Sequence, residues 1–371
     1  MESKAVFLFA RRARRKNAAQ QLPLLFLYAV LYTQTVQKAF FEVCAKKKRR
    51  FLFLLPLPGA LLLLACCRAH PALASFWAAR VFVPCARVLG RVSARLPVPA
   101  VFPLAAGLAA FLLVSLCRRK FFRAFTALAL TAAIFFSGWG VCCARPALKA
   151  ASGAASPNDL AALCLSLAAQ ADANVSASPE IGAIFAAVPA ALDAVAPRFS
   201  LPAGGFAAPR ASRMPQALSR LFTEGVFIPF TGEALVNEAM PAVCLPYVAC
   251  HEAAHARGIA SEADANLLAY FACAESDDPF FRFSGTICAL SFALDALQTA
   301  DPASCASVRA ALSEPVTAAL TARSAFWEPY RETPAAAVAM SVNESYLSSV
   351  GGQPEGAASY GAFVETLLCL R

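Results

Sequence analysis

Three apolar runs set the pattern of the first 144 residues. Phe51–Cys67 is uncharged for 17 residues, just long enough to span a bilayer. Pro97–Cys117 is bounded by Arg118-Arg119-Lys120, and Ala124–Ala144 ends at Arg145-Pro146. The segment between the first two carries five arginines. Its Arg80, Arg87, Arg91 and Arg95 are spaced by seven, four and four, as on one face of an amphipathic interfacial helix. Leu22–Tyr32 is apolar but short and soon meets Gln34, Gln37 and Lys38, so it reads as interfacial. No basic head, short apolar run and small-residue cleavage site come together in the first 30 residues, so no cleavable signal peptide is expected.

Beyond residue 155 the pattern changes to alanine-rich helical stretches at Leu160–Ala173, Ile181–Val195 and Ser284–Thr299, with another starting at Pro315. Gly225–Asn237 is β-rich and broken by Pro and Gly, which suits an edge strand or hairpin. Pro246 can occupy a first helical turn and Gly258 a left-handed C-cap, predicting a short helix over Pro246–Arg257. Ser261 is a candidate N-cap for a second helix, Glu262–Cys273. The expected fold is mainly α: transmembrane helices, then a mostly helical zincin-like domain with a small β-hairpin or edge strand. Residues 1–50 form a basic cytoplasmic extension, 51–145 a membrane domain with spans 51–67, 97–117 and 124–144, and 146–371 a domain outside the cytoplasm.

Composition sharpens this picture. The chain is 59% hydrophobic, well above a typical soluble domain. Residues 1–144 hold 21 Lys+Arg against 2 Asp+Glu, whereas residues 145–371 hold 12 against 21. The basic balance therefore belongs to the membrane half, and with no recognisable nucleic-acid motif it gives no reason to expect a nucleic-acid partner. Lys46-Lys47-Lys48-Arg49-Arg50 and Arg118-Arg119-Lys120 are cytoplasmic by the positive-inside rule, and three spans then put the acidic domain outside. The 14 cysteines show no C-x-x-C, and they read as small apolar packing residues.

His251-Glu252-Ala253-Ala254-His255 carries the candidate chemistry. It is an H-E-x-x-H string that uses two of only three histidines, and chance alone gives such a string odds on the order of one in a thousand. On a helix, residues four apart share a face, so both imidazoles can hold one Zn²⁺ while Glu252 points at the open coordination position. A hydrolytic zinc site takes three protein ligands. A helix starting at Ser261 brings Glu262 forward as first candidate and Asp264 as second; both acids also suit a helix N-terminus electrostatically. A third histidine of the long metalloprotease motif would fall at Ser261, so that subclass does not fit.

Glu262-Ala263-Asp264-Ala265-Asn266 resembles the helix that supplies the third ligand in the membrane-bound CAAX prenyl endopeptidases, with Asn266 where that pattern has Asp. The resemblance implies that Asn266 orients a histidine. A wider set of strings is similar to an uncharacterised bacterial family of membrane-anchored HExxH proteins, grouped with the zinc peptidases as gluzincin-type. They are Phe230-Thr231-Gly232-Glu233-Ala234, Leu245-Pro246, His251 to Ala260, Glu262 to Asn266, Phe283-Ser284-Gly285, Trp139-Gly140 with Arg145-Pro146, Asn343 to Leu347, and Gly356 to Gly361. That likeness covers roughly residues 51–371.

The resulting expectation is a membrane-anchored zinc metallopeptidase with ligands His251, His255 and Glu262 and general base Glu252. Phe230, Thr231, Gly232 and Glu233 are candidate substrate contacts, since an edge strand beside a metal helix can hold a peptide as an added strand. With no further histidine on hand, the donor to the oxyanion must be a Tyr or Arg: Tyr360 first, with Tyr346 and Arg282 behind it. Expected partners are the bilayer and a protein or peptide substrate. The alternative is a non-catalytic zinc-binding sensor or assembly protein. An intramembrane protease is disfavoured, because Glu238, Glu252, Arg257, Glu262 and Asp264 make the motif's surroundings too polar for lipid.

Overall fold

Long apolar stretches with basic ends and an alanine-rich remainder give an almost wholly helical chain. The computed structural model describes residues 53–148, 155–350 and 358–370, with the backbone alone at 343, 344, 346–350 and 358–360. The basic N-terminal extension and Leu22–Tyr32 lie outside the described residues. The membrane half consists of α1 (Pro56–Ala69), α2 (Pro71–Ser93), α3 (Val101–Cys117) and α4 (Phe121–Gly140). Next come α5 (Pro157–Asp172), α6 (Ile181–Val195), strand β1 (Arg210–Ala211), the short α7 (Pro215–Arg220), β2 (Gly225–Ile228) and β3 (Glu233–Val236). The metal-motif helix α8 (Leu245–His255) is followed by α9 (Glu262–Ala274), α10 (Pro279–Ala300), α11 (Pro302–Ala310), α12 (Glu314–Trp327), α13 (Pro334–Val350) and α14 (Ala358–Cys369).

The three expected spans correspond to α1, α3 and α4. Leu61, Leu62, Leu113, Phe121, Phe125 and Ile134 project outward from them, an apolar surface that suits lipid rather than water. By length and apolarity, α2, α4, Ile181–Phe199 and α10 could each cross a membrane. α6 and α10 instead supply Ile184, Leu192, Phe281 and Leu290 to the main core of the second half.

The arginine-bearing segment is one long helix, α2, whose start packs on the membrane helices and whose later part meets the second half of the protein. Near its start Ala74 packs with Cys67 and Val141 at the ends of α1 and α4. In its middle Phe82 lies 5.8 Å from Trp139 and 6.3 Å from Phe227. At its end the Ser93 hydroxyl donates to the Thr231 carbonyl (2.9 Å). Arg87 stacks at 4.4 Å on the Phe206 ring, whose other neighbour is the buried Arg257 at 4.2 Å, and Arg91 donates to the Gly205 carbonyl (2.6 Å). The expected four-arginine face is split: a π-helical turn at Ala78–Phe82 shifts the helix phase between Arg80 and Arg87, and Arg80 and Arg95 remain exposed.

β2 and β3 form the expected hairpin, joined by β1 in the order β1-β3-β2. β1 pairs with β3 in parallel and β2 pairs with it antiparallel, Phe227 opposite Ala234. β2 is therefore an edge. The hairpin tip is seated on the membrane helices. Glu233, only 4% exposed, accepts from the Ala100 and Val101 amides at the start of α3 (2.9 and 3.2 Å) and pairs with Arg210 (3.3 Å). Gly232, at φ +67°, lies so close to α2 that a Cβ would fall 2.4 Å from the Ala86 carbonyl and 2.6 Å from the Gly90 nitrogen.

A Cβ on Gly90 would in turn stand 2.7 Å from the Gly232 carbonyl, a backbone atom that cannot swing aside. Alanine in mid-helix is ordinarily favoured over glycine by about 1 kcal/mol, whereas overpacking costs about 1–3 kcal/mol. Gly90→Ala is therefore expected to destabilise the full-length protein in detergent, measured as a lower thermal midpoint. An unchanged or raised midpoint would contradict this packing.

Candidate metal centre

Local sequence chemistry builds the two helices that meet at the centre. Pro246 sits in the first turn of α8, where its missing N–H is not needed. The orphan amide of Tyr247 in that turn is satisfied from α10 by the Ser284 hydroxyl (3.1 Å). Beside it Gly285 lets α9 come close, since a Cβ there would lie 2.5 Å from the Cys273 Cβ. These contacts give the Phe-Ser-Gly string a packing role. α8 is followed by Gly258 at φ +78°, whose carbonyl accepts from the Arg145 guanidinium (2.6 Å). α9 then starts on Ser261, which accepts from the Asp264 amide (3.3 Å).

The sharp return at Gly258 brings the first residue of α9 over the imidazoles of α8. His251 Nε2 lies 3.1 Å from one Glu262 oxygen, and His255 Nε2 lies 3.9 Å from the other. Among the described residues these three form the group able to hold a metal ion, with ligand atoms all within 4.8 Å of one another. Zinc–ligand bonds of about 2.0–2.2 Å place tetrahedral ligand atoms about 3.3–3.6 Å apart, so the triangle needs only small adjustments. The far side of each ring is fixed. His251 Nδ1 is 2.8 Å from Asn266 Oδ1, and His255 Nδ1 is 2.6 Å from the Ile259 carbonyl. Both acceptors hold the proton on Nδ1 and leave the Nε2 lone pairs for a metal.

Tyr247 completes the support. Its buried hydroxyl donates to Asn266 Oδ1 (3.1 Å), so one amide oxygen holds both Tyr247 and His251. Tyr247, His251 and His255 recur every fourth residue along one helical face, the spacing by which Tyr247 was detectable in sequence. Trp139, at the end of α4, sets its ring edge-on against His255 at 5.5 Å, with Phe227 of β2 on another side at 6.3 Å.

Glu252 is 5% exposed and faces β2: a Cβ on Gly225 would meet its Cγ at 2.6 Å. Burial pushes its carboxyl up to about 8, nearby Glu262 adds to the rise, and a hydrogen bond from the Phe227 amide opposes it. For His251, burial alone would lower the pKa, but the hydrogen bond and charge of Glu262 outweigh it and hold the ring at about 9. Burial likewise works against the Glu262 carboxylate, yet its bond to His251 and the charge of both rings bring it down to about 2.

Several expected site residues lie elsewhere. Asp264 accepts from the Leu148 amide (3.2 Å to each oxygen), tying the chain after α4 to α9, and is not in the ligand triangle. Phe230, Thr231, Gly232 and Glu233 are occupied by membrane helices rather than open to a substrate. Phe230 meets Phe135 of α4 at 6.3 Å, Thr231 receives Ser93, and Gly232 and Glu233 make the contacts described above. Arg282 donates to Asn174 and to the Ser276 carbonyl (both 2.6 Å), which spends its guanidinium on fold contacts. Tyr360 and Tyr346 fall on α14 and α13, and their side chains lie outside the described residues.

A family model described as "Protein of unknown function (DUF3810)" matches residues 77–368. The chain belongs to the DUF3810 family. No curated protein and no solved structure matches it. The DUF3810 match takes in α3, α4, the hairpin, α8 and α9, so the membrane helices that touch the site and the three candidate ligands fall within one family region.

Two measurements test the centre. In the metal-free protein His251 keeps its proton until the pH passes about 9, so below that pH each bound Zn²⁺ must displace it. Zinc affinity is expected to rise about tenfold per pH unit from neutrality toward pH 9 and then level, read by competition with a chelating indicator. A flat profile would show that Glu262 does not hold a proton on His251 up to that pH. Asn266→Ala removes the acceptor that fixes the His251 ring, and affinity is expected to fall about 10–100-fold with the helical content preserved.

Proposed function

We propose that this protein is a membrane-anchored zinc metallopeptidase whose catalytic domain lies outside the cytoplasm. The observation that carries the reading is the place of Glu252. It stands beside the His251–His255–Glu262 triangle without belonging to it, and the Phe227 amide holds it against an open strand edge. A purely structural zinc site has no use for a fourth, separate carboxylate at a strand edge.

Zn²⁺ held by the triangle would supply a Lewis acid for a scissile carbonyl and activate a water molecule. Glu252 takes the water's proton and delivers it to the leaving amine. β2 supplies the platform. Glu224 and Asn237 form a hydrogen-bonded pair, and alternation along an antiparallel ladder turns the backbone groups of Gly225 and Phe227 away from β3. The Gly225 groups and the Phe227 carbonyl are free to hold an extended peptide across Glu252, while the Phe227 amide is spent on Glu252 itself. Asn266 and Tyr247 keep His251 in register, and Trp139 and Phe227 wall His255 from water.

Charge supports the location. α3 starts at the hairpin and α4 ends at His255, so the Arg118-Arg119-Lys120 turn between them is the end far from the catalytic domain. The positive-inside rule assigns that turn to the cytoplasm. The second reading, a non-catalytic zinc sensor, would make Glu252 dispensable.

The deciding comparison is between full-length wild type and two variants. Glu252→Gln is expected to bind one zinc per chain and lose about 10²–10⁴-fold in peptide hydrolysis. His251→Ala is expected to lose the metal as well. Zinc in the wild type with no hydrolysis of any peptide in a diverse library would establish the sensor reading instead.

A further inference from the structure

The distance between the candidate catalytic edge and the membrane helices bears on what can be cut. Phe227, whose amide touches Glu252, is three residues from Phe230 in the hairpin turn, so no more than about 10 Å of chain separates them. Phe230 already rests on Phe135, which lies more than a turn inside the end of α4. The next hairpin residues sit on α2 and cap α3. From the other side Trp139 of α4 reaches His255 itself. α2 is apolar enough to cross a bilayer, but it joins the ends of α1 and α3 nearest the metal centre, its start packed with Cys67 and its Ser93 on the hairpin tip. A helix so placed would lie at the membrane surface, with Val81, Val88, Leu89 and Val92 turned outward. A water-facing helix would not expose such a row, and a bilayer surface accommodates it.

We propose that the substrate is the extended juxtamembrane segment of another membrane-anchored protein, cut within about six residues of its own transmembrane anchor. The inference rests on the peptidase reading above and narrows its substrate. A chain added to the free edge of β2 has one end passing Ile228 toward the hairpin tip, where the membrane begins. Six residues of strand extend about 20 Å, enough to run from an anchor past the tip and across Gly225. A folded soluble protein would have to bring its scissile strand into this narrow space against the bilayer. A chain emerging from the bilayer arrives there already extended, and its anchor restricts the search to two dimensions and raises its effective concentration.

The test uses the full-length protein reconstituted in liposomes with a model substrate: one transmembrane helix followed by a uniform repeat of a single cleavable sequence. The same repeat without an anchor is run in parallel. Cut positions are mapped by mass spectrometry. Independently, Glu252→Gln carrying a photo-crosslinking residue in place of Val226, a half-buried position on β2, reports where the chain binds without any turnover.

Wild type is expected to cut the anchored repeat within its first six residues or so and to cut the free repeat at least tenfold more slowly. Crosslinks are expected over the same stretch. Cuts spread evenly along the repeat, equal cutting of the free repeat, or crosslinks far from the anchor would overturn the proposal. Juxtamembrane crosslinks with no cutting by zinc-loaded wild type would uphold the binding place and overturn the peptidase reading. Absence of both cuts and crosslinks would overturn the proposal as well.

Discussion

The arrangement of this protein follows from the need to hold Glu262, a carboxylate partly withdrawn from water, against two imidazoles. A carboxylate taken out of water is costly unless a cation and hydrogen bonds meet it there. Here His251 and His255 meet it, and their outer nitrogens are met in turn by Asn266 and Ile259. The sharp stop at Gly258, the Ser261 cap and the close α9–α10 contact at Gly285 all serve to keep that small set of charges in register. A pair of helices that splayed by an ångström or two would leave that half-buried charge unpaired. In the metal-free protein the proton on His251 plays the part of the cation, so the geometry persists without the ion. The His251–Glu262 pair steadies that form fully between about pH 4.5 and 6.5, and the effect is lost as the pH rises through about 9 or falls through about 2.

The membrane half contributes to the centre by shape as much as by anchorage. Two π-helical turns, Ala78–Phe82 in α2 and Phe136–Gly140 at the end of α4, end in or contain the aromatic residues that meet over His255 and Phe227. A π turn accommodates an extra residue and so re-aims the side chains that follow it. Phe82, Trp139 and Phe227 thereby form one apolar wall shared by the membrane helices and the metal site.

How much of this was legible depended on the range of each interaction. The motif helix, its stop at Gly258, the Ser261 cap and the Glu262–Asn266 helix are encoded within about twenty consecutive residues. Spacing rules reach that far, and the hairpin at 225–236 and the spans were readable for the same reason. The purpose of the hairpin tip was not. Phe230 to Glu233 face Ser93, Gly90, Ala100 and Phe135, roughly 95 to 145 positions earlier in the chain, and nothing local distinguishes a tip that docks on helices from one that holds a peptide. Asp264 was ambiguous because an acid in a first helical turn suits a cap, a ligand or a tether equally; only the Leu148 amide decides among them. The π turns were invisible for a simpler reason: their cause is packing between helices, not the composition of the turn.

The shift from basic and apolar to acidic sequence near residue 145 invites a division into an anchor and a soluble catalytic module. The contacts of Trp139 and Phe82 argue that this boundary is one of composition and not of folding. A fragment beginning after α4 would carry all three ligands and Glu252, yet it would lack the wall behind His255 and the seat of the β2–β3 tip. Such a fragment would present the right residues on a loosened frame, with a greasy face open to water. The membrane helices are, in this sense, part of the candidate metal site's own interior.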